Sequence, residues 1–348
     1  MYTPPMIALA AAMAMIQPDF SVPPKGYVCT RVTEPVRFDG KLNEGAWAAA
    51  PWTDAFVDIE GDKKPKPRFL TRAKMLWDDE FFYVAAEMEE PNVWATLTQH
   101  DSVIFHDNDF EVFIDPDGDN HRYYEFEINA LNTTWDLFLP RPYRDGGPAM
   151  NAWEIPGLRS AVHVRGTLND PSDTDEGWTV EIAFPWSVLK ECAPGGSPPK
   201  PGDQWRVNFS RVEWDVEVLD GKTRKVANRP EHNWVWSPQG VIDMHRPERW
   251  GFVQFSAEPP GEDAFRPDPD LPARDYLHKL YYAQRTFRSK HGRWAKTVGE
   301  LEVGEPPTGW NAAEVQTTES LFEIVLQSKS NPQRSWRIAQ DSRCWTQG

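Results

Sequence analysis

Asp109, Glu111 and Asp115 alternate with Phe110, Val112 and Ile114 in DFEVFID, and a turn later Glu125 and Glu127 alternate with Tyr124, Phe126 and Ile128. In an extended chain, alternate side chains point to opposite faces. One face of such a two-strand unit is apolar. The other gathers Asp109, Glu111, Phe113 and Asp115 with Tyr123, Glu125, Glu127 and Asn129. Carboxylates brought this close can accept hydrogen bonds from sugar hydroxyls or wrap a hard cation. They can also supply the acid and base of glycoside cleavage, which needs two carboxyls of separated pKa. Two plainer roles compete: a solvated outer face, or buried ion pairs with Arg211 or Arg246. Like charges opposed across a sheet destabilise it by ~0.2–1 kcal/mol per pair, a cost that solvent reduces.

Other constellations bear chemistry. Asp115, Asp117 and Asp119 alternate in DPDGDN, a spacing at which oxygen ligands can wrap calcium. Glycine at 118 and the lack of a following bidentate Glu depart from an EF-hand loop, and an ordinary acidic turn has the same letters. Met244-His245 pairs two residue types that serve as axial haem ligands, with His100 or His106 as a second ligand. No CxxCH attachment motif is present, and a loop histidine beside a cleft accounts for the pair more simply. Trp94, just after an acidic loop, is a candidate exposed ring for stacking on a sugar. Arg206, Asn208 and Ser210 share the polar face of their strand, as ligands or as a solvated surface.

These residues need a β framework, and the chain supplies one. Strand-like segments recur from about residue 27 to 256, separated by turn signals such as WDDE, PDGD and PPKPGD, while helical patterning there is scarce. Many short strands with regular turns predict a mainly β fold, an antiparallel two-sheet sandwich of jelly-roll type over 25–256. A Pro- and acid-rich stretch, 257–272, reads as a linker or strap. Beyond it, Tyr276, Leu280, Ala283 and Phe287 fall at helical spacing and two strand-like segments follow, which predicts a small α+β appendage over 273–348.

Composition narrows the partners. The chain has 348 residues, 40% of them hydrophobic, enough for a sizeable core. A net charge of −16 sets nucleic acid and anionic membranes aside as partners. Seventeen Trp and 32 Pro accord with a β fold carrying long ordered loops. Cys29, Cys192 and Cys344 are widely spaced and leave their pairing open. Met6–Ile16 is too short to span a bilayer but matches the apolar part of a signal peptide, and Ala12-Met13-Ala14 matches a cleavage pattern. No Lys or Arg precedes it. Segment 1–16 is expected to direct export, to the periplasm or outside the cell.

An ordered series of segments resembles the family 9 carbohydrate-binding modules, within the broader group of DOMON-like sandwiches. The series runs FDGKLNEGAW (Phe38–Trp47), LWDDEFFYVAAEMEEP (Leu76–Pro91), DNDFEVFIDP (Asp107–Pro116), EFEINA (Glu125–Ala130), GWTVEIAFPW (Gly177–Trp186), WRVNFSRVEW (Trp205–Trp214) and VWSPQGVIDMHRPERWGFVQF (Val235–Phe255). The resemblance implies a sandwich that binds oligo- or polysaccharides without cleaving them, in the service of polysaccharide catabolism. It also implies calcium bracing the loops. Two Trp rings that clasp the sugar in the family fall here at Phe105 and Met244, the latter beside His245. The family's Glu falls on Glu111 and its Asn on Asn208, while its Arg falls on Glu127, which reverses the charge. The expected saccharide site is therefore Phe105, Glu111, Glu127, Asn129, Asn208, Met244 and His245, with Trp94 as a further stacking candidate. A haem-binding electron-transfer domain, a glycoside hydrolase and a ligand-less structural protein are the alternatives.

Overall fold

The computed structural model describes residues 16–43 and 45–347. The segment read as an export signal lies outside them except for Ile16. Among the described residues, no helix is long and apolar enough to cross a membrane.

The first sheet holds β5 (Asp109–Asp115), β6 (Tyr123–Asn129), β7 (Thr134–Leu139), β10 (Gln204–Glu213) and β14 (Gly251–Ser256), in the order β7-β6-β5-β10-β14. The second holds β3 (Thr71–Trp77), β4 (Phe81–Glu89), β8 (Arg159–Arg165) and β9 (Gly177–Pro185), in the order β3-β4-β9-β8. The corner is β1 (Gly26–Arg31), which pairs with β14 through Gly26–Thr30 and with β3 through Thr30 and Arg31. Beyond the reach of β14, the second half of β10 pairs with β13 (His232–Val235), which in turn holds β2 (Val57–Asp58). A hairpin of β11 (Val216–Leu219) and β12 (Lys222–Lys225) stands apart.

The core lies between the sheets and follows the alternation. Phe110, Val112 and Ile114 of β5, Tyr124, Phe126 and Ile128 of β6, and Val207 and Phe209 of β10 meet Met75, Val84, Val180 and Ile182 from the second sheet. Each such side chain stabilises the fold by roughly 1.5–3 kcal/mol when fully buried. The entry turn FDGKLNEGAW is fastened by Glu181, which accepts from the backbone N–H of Asp39 and Gly40 and from Trp47 Nε1 at 2.6–2.9 Å. Gly40 is required there: its φ is +76°, and a Cβ would come within 2.6 Å of the His163 backbone.

The other face of β5 and β6 is not a solvated surface. Every residue of both strands is buried, acids included, because loops and β13 close over it. Arg211 is fully buried as well, but it pairs with Glu90 and Glu213, at 2.9 and 2.8 Å.

The C-terminal part is helix α3 (Leu271–His291; the short α1, Gly45–Ala49, and α2, Trp186–Leu189, precede it) packed on a four-stranded sheet. That sheet runs β15 (Glu314–Thr317), β16 (Phe322–Gln327), β17 (Ser335–Ala339) and β18 (Cys344–Gln347). The helix begins at Leu271, earlier than its apolar spacing indicates, with Pro272 in its first turn, where a missing N–H costs nothing. This part docks on the sandwich through polar contacts. Asp145 accepts from Tyr281, Arg285 and Ser342 at 2.5–2.7 Å, Arg343 donates to Asp119 at 2.9 Å, and Asn120 meets His278 at 2.8 Å. The Pro-rich stretch folds back against β14, where Gln254 donates to the Ala264 carbonyl and accepts from Arg266 N–H. Cys29, Cys192 and Cys344 are buried free thiols.

Candidate functional site

Strand register sets the floor of a cavity of about 300 Å³ on the buried acid face. One row of cross-strand neighbours runs Ser210, Glu111, Glu127, Trp135, and the next runs Asn208, Phe113, Glu125, Leu137. Glu111, Glu125, Glu127, Phe113, Trp135 and Leu137 line the cavity from below. Phe105, Tyr143, Met244, His245, Val212, Glu231 and Asn233 complete its wall. Its size is at the lower end for small-ligand pockets, ~300–1,000 Å³.

Three wall segments are pinned. Phe105 is held at both backbone ends, its N–H donating to Glu127 at 3.0 Å and its carbonyl accepting from Trp214 Nε1 at 2.9 Å. Asp107 ties the preceding loop down by accepting from Thr96 and Leu97 N–H and from Asn129 Nδ2. Met244 accepts at its carbonyl from Trp250 Nε1, at 2.9 Å. Tyr143 sits on the turn that Asp145 anchors to the C-terminal part, so that part braces one wall of the cavity.

The electrostatics are one-sided. Burial pushes the Glu111 carboxyl up to about 7, with Glu231 adding to the effect. Burial, then repulsion from Glu111, pushes Glu125 and Glu127 well above the carboxylate range, and Asp109 beneath them follows for the same reasons. No salt bridge reaches Glu111, Glu125 or Glu127 from the described residues, and no Lys or Arg lines the cavity. Burial lowers His245 to about 4, so its ring is neutral at physiological pH, with Nδ1 2.9 Å from the Tyr123 hydroxyl.

Five of the eight residues expected at a saccharide site meet here: Phe105, Glu111, Glu127, Met244 and His245. Three do not. Asn129 spends its amide on the Leu97 carbonyl and Asp107, and its oxygen on Leu131 and Thr133 N–H. Asn208 is occupied on both sides by the Ser237 backbone, at 2.8 and 3.0 Å. Trp94 is 5% exposed and does not line the cavity, so it has no open face for a sugar. Lining residues outside that expected set include Glu125, Trp135 and Tyr143, together with Glu231 and Asn233. Trp135 was reachable by parity, since it shares a face with Leu137 and lies beside Glu127. Tyr143 sits in an irregular loop with no period to read.

The alternative chemistries find less here. Glycoside cleavage needs one carboxyl held ionised while its partner keeps a proton, yet burial pushes Glu111, Glu125 and Glu127 upward and no cation from the described residues lies beside them to hold one ionised. His245 is the one histidine lining this cavity, while His100 engages Thr134 and Glu154 and His106 is exposed. The carboxylate oxygens of Asp115, Asp117 and Asp119 come within 4.8 Å of one another, a donor set suited to calcium. They are also engaged already: Asp115 accepts from Gly118 and Asn120 N–H, and Asp119 from His121 N–H and Arg343.

Comparison with known proteins shows what the chain is similar to. Exoglucanase XynX of Acetivibrio thermocellus is 27% identical over 117 residues, 34% of this chain and 9% of that protein. An extracellular protein of Arthroderma benhamiae is 25% identical over 116 residues, 32% of this chain and 48% of the relative. The matched segments thus span under a tenth and about half of these relatives. A family 9 carbohydrate-binding module from Caldicellulosiruptor kristjanssonii, solved with cellotriose, aligns with 70% of this chain and all of its own, at 14% identity and a TM-score of 0.45. The model of the carbohydrate family 9 binding domain-like family matches residues 38–256, from the entry turn through β14 and so all of the sandwich but β1, and the chain belongs to that family.

Proposed function

We propose that this protein binds saccharides non-catalytically, in the cavity above β5, β6 and β7. One observation carries the reading: the aromatic residues Phe105, Trp135 and Tyr143 and the acceptors Glu111, Glu125 and Glu127 converge on one small cavity of a family 9 sandwich. Rings supply flat faces for the apolar side of a pyranose, and carboxyl groups supply partners for its hydroxyls. Trp135 takes the stacking role that the resemblance had put at Met244. Glu231 and Asn233 also line a neighbouring cleft of about 610 Å³, which gives a longer glycan a path away from the cavity.

A role in polysaccharide breakdown and export from the cytoplasm belong to the same proposal. They are supported by the family, by segment 1–16 and by likeness to an exoglucanase and an extracellular protein. Calcium at the Asp115–Asp119 turn is proposed as a structural brace, since burial and the two neighbouring acids push Asp115 well above its usual range. Calorimetric titration of the protein against a panel of neutral and charged oligosaccharides tests the function. Saturable binding that weakens at least tenfold in Glu111→Ala supports it. Binding untouched by that substitution would place the sugar elsewhere, and silence across the panel would leave the sandwich without a saccharide role.

A further inference from the structure

We propose that the saccharide this cavity takes carries a protonated amine: an amino sugar, its ammonium seated among Glu111, Glu125 and Glu127 and its ring against Trp135. The inference rests on the saccharide reading above and narrows it to a class of sugar.

The argument begins with charge. Several buried acids in this molecule have cations beside them, while others, such as Asp107 and Asp175, are held by backbone N–H donors. Glu90 and Glu213 share Arg211, Glu248 has Arg144 at 2.9 Å, and Asp145 has Arg285 at 2.5 Å. In the cavity three acids lie together without such a cation: Glu111 is 6% exposed, Glu125 5% and Glu127 1%, with no cation from the described residues beside them. Like charges buried together are costly, and an opposite charge within about 4–6 Å reverses the cost. A neutral hydroxyl can donate to a carboxylate but cannot supply that charge.

Two further observations choose the form of the cation. Glu125 Oε2 is buried without a hydrogen-bond partner, although Glu125 lines the cavity, so an acceptor waits there for a donor. An ammonium seated beside these acids favours their ionised forms; a carboxylate only accepts, and the ammonium offers three donors. The walls also hold Trp135, Tyr143 and Phe105, whose ring faces attract an organic cation, and Trp135 Nε1 is itself a buried donor without a partner. A bare metal ion would use the carboxylates and leave the aromatic wall idle. An amine on a pyranose uses both.

The test compares β-1,4-linked trimers that differ only at C2: the trimer of 2-amino-2-deoxyglucose, its N-acetylated counterpart, and cellotriose. Each is titrated calorimetrically into the full chain at pH 7 and low ionic strength. The amine trimer is expected to bind about tenfold tighter than either neutral one, the effect of one charge-assisted contact in a desolvated site. Glu125→Gln keeps the size of the side chain and should erase most of that preference, and Glu231→Gln should reduce it. Thermal unfolding confirms that both variants fold. Equal or tighter binding of cellotriose or the acetylated trimer overturns the amine while leaving saccharide binding intact. Failure of all three trimers overturns both. Saturation by Ca²⁺ or Mn²⁺ that excludes the amine trimer gives the carboxylates to a metal and overturns the proposal.

Discussion

Replacing Glu111 with Gln should stabilise this protein, and only above a certain pH. Glu111 ionises near 4.5 in an unfolded chain and is pushed up to about 7 in the fold, chiefly by burial and secondarily by Glu231, with Ser210 pulling the other way. Between those values the native state keeps a proton that the unfolded state releases, so stability falls as pH rises through the window. Each tenfold change in proton affinity is worth about 1.4 kcal/mol, so the penalty above pH 7 is on the order of 3 kcal/mol. Gln is neutral throughout and escapes it. The assay is chemical unfolding of the native protein and Glu111→Gln at pH 4, 6 and 8. The variant should match the native protein at pH 4 and gain up to ~3 kcal/mol by pH 8. Removing one charge also eases Glu125 and Glu127, whose repulsion from Glu111 falls in the same direction. A difference that does not change with pH, or a variant less stable at pH 8, would refute the electrostatic account of the cavity.

Three other substitutions and one addition separate roles that look alike on paper. Asn208→Ala leaves the Ser237 backbone unpaired and should cost about 1–3 kcal/mol in unfolding experiments, while saccharide affinity stays within about twofold. Asp145→Ala removes the carboxylate shared by Tyr281, Arg285 and Ser342 and should destabilise by roughly 3–5 kcal/mol. It should also weaken binding measured by calorimetry, because the turn carrying Tyr143 loses its anchor. Calcium at about 100 times its dissociation constant should stabilise by ~2.7 kcal/mol, read as a raised melting temperature that a chelator reverses. An Asp117→Asn variant should lose that response.

The fold was legible because alternation is local. Phe110, Val112 and Ile114 announce their face from within one strand, and the core formed on that face. Burial of the opposite face was not legible in the same way. The segments that cover it, around Tyr143, Glu231 and Met244, lie far away in sequence and have no period. Residue type also misled. Asn129 and Asn208 have the right chemistry at the right parity for a ligand, yet each satisfies loop backbone, a demand visible only once the loops are placed. Trp94 was judged by its acidic neighbours and is buried. Trp135, by contrast, could have been assigned from register alone, as the residue across from Glu127.

Trp135 is also the means of locating the saccharide. The most direct measurement is tryptophan fluorescence during titration with the tightest-binding oligosaccharide, in the native protein and in Trp135→Phe. A sugar in this cavity predicts a saturable change in the native protein whose dissociation constant matches calorimetry. In Trp135→Phe most of that change should vanish while weaker binding persists. An undiminished fluorescence change in Trp135→Phe would contradict the assignment and place the saccharide against another of the tryptophans.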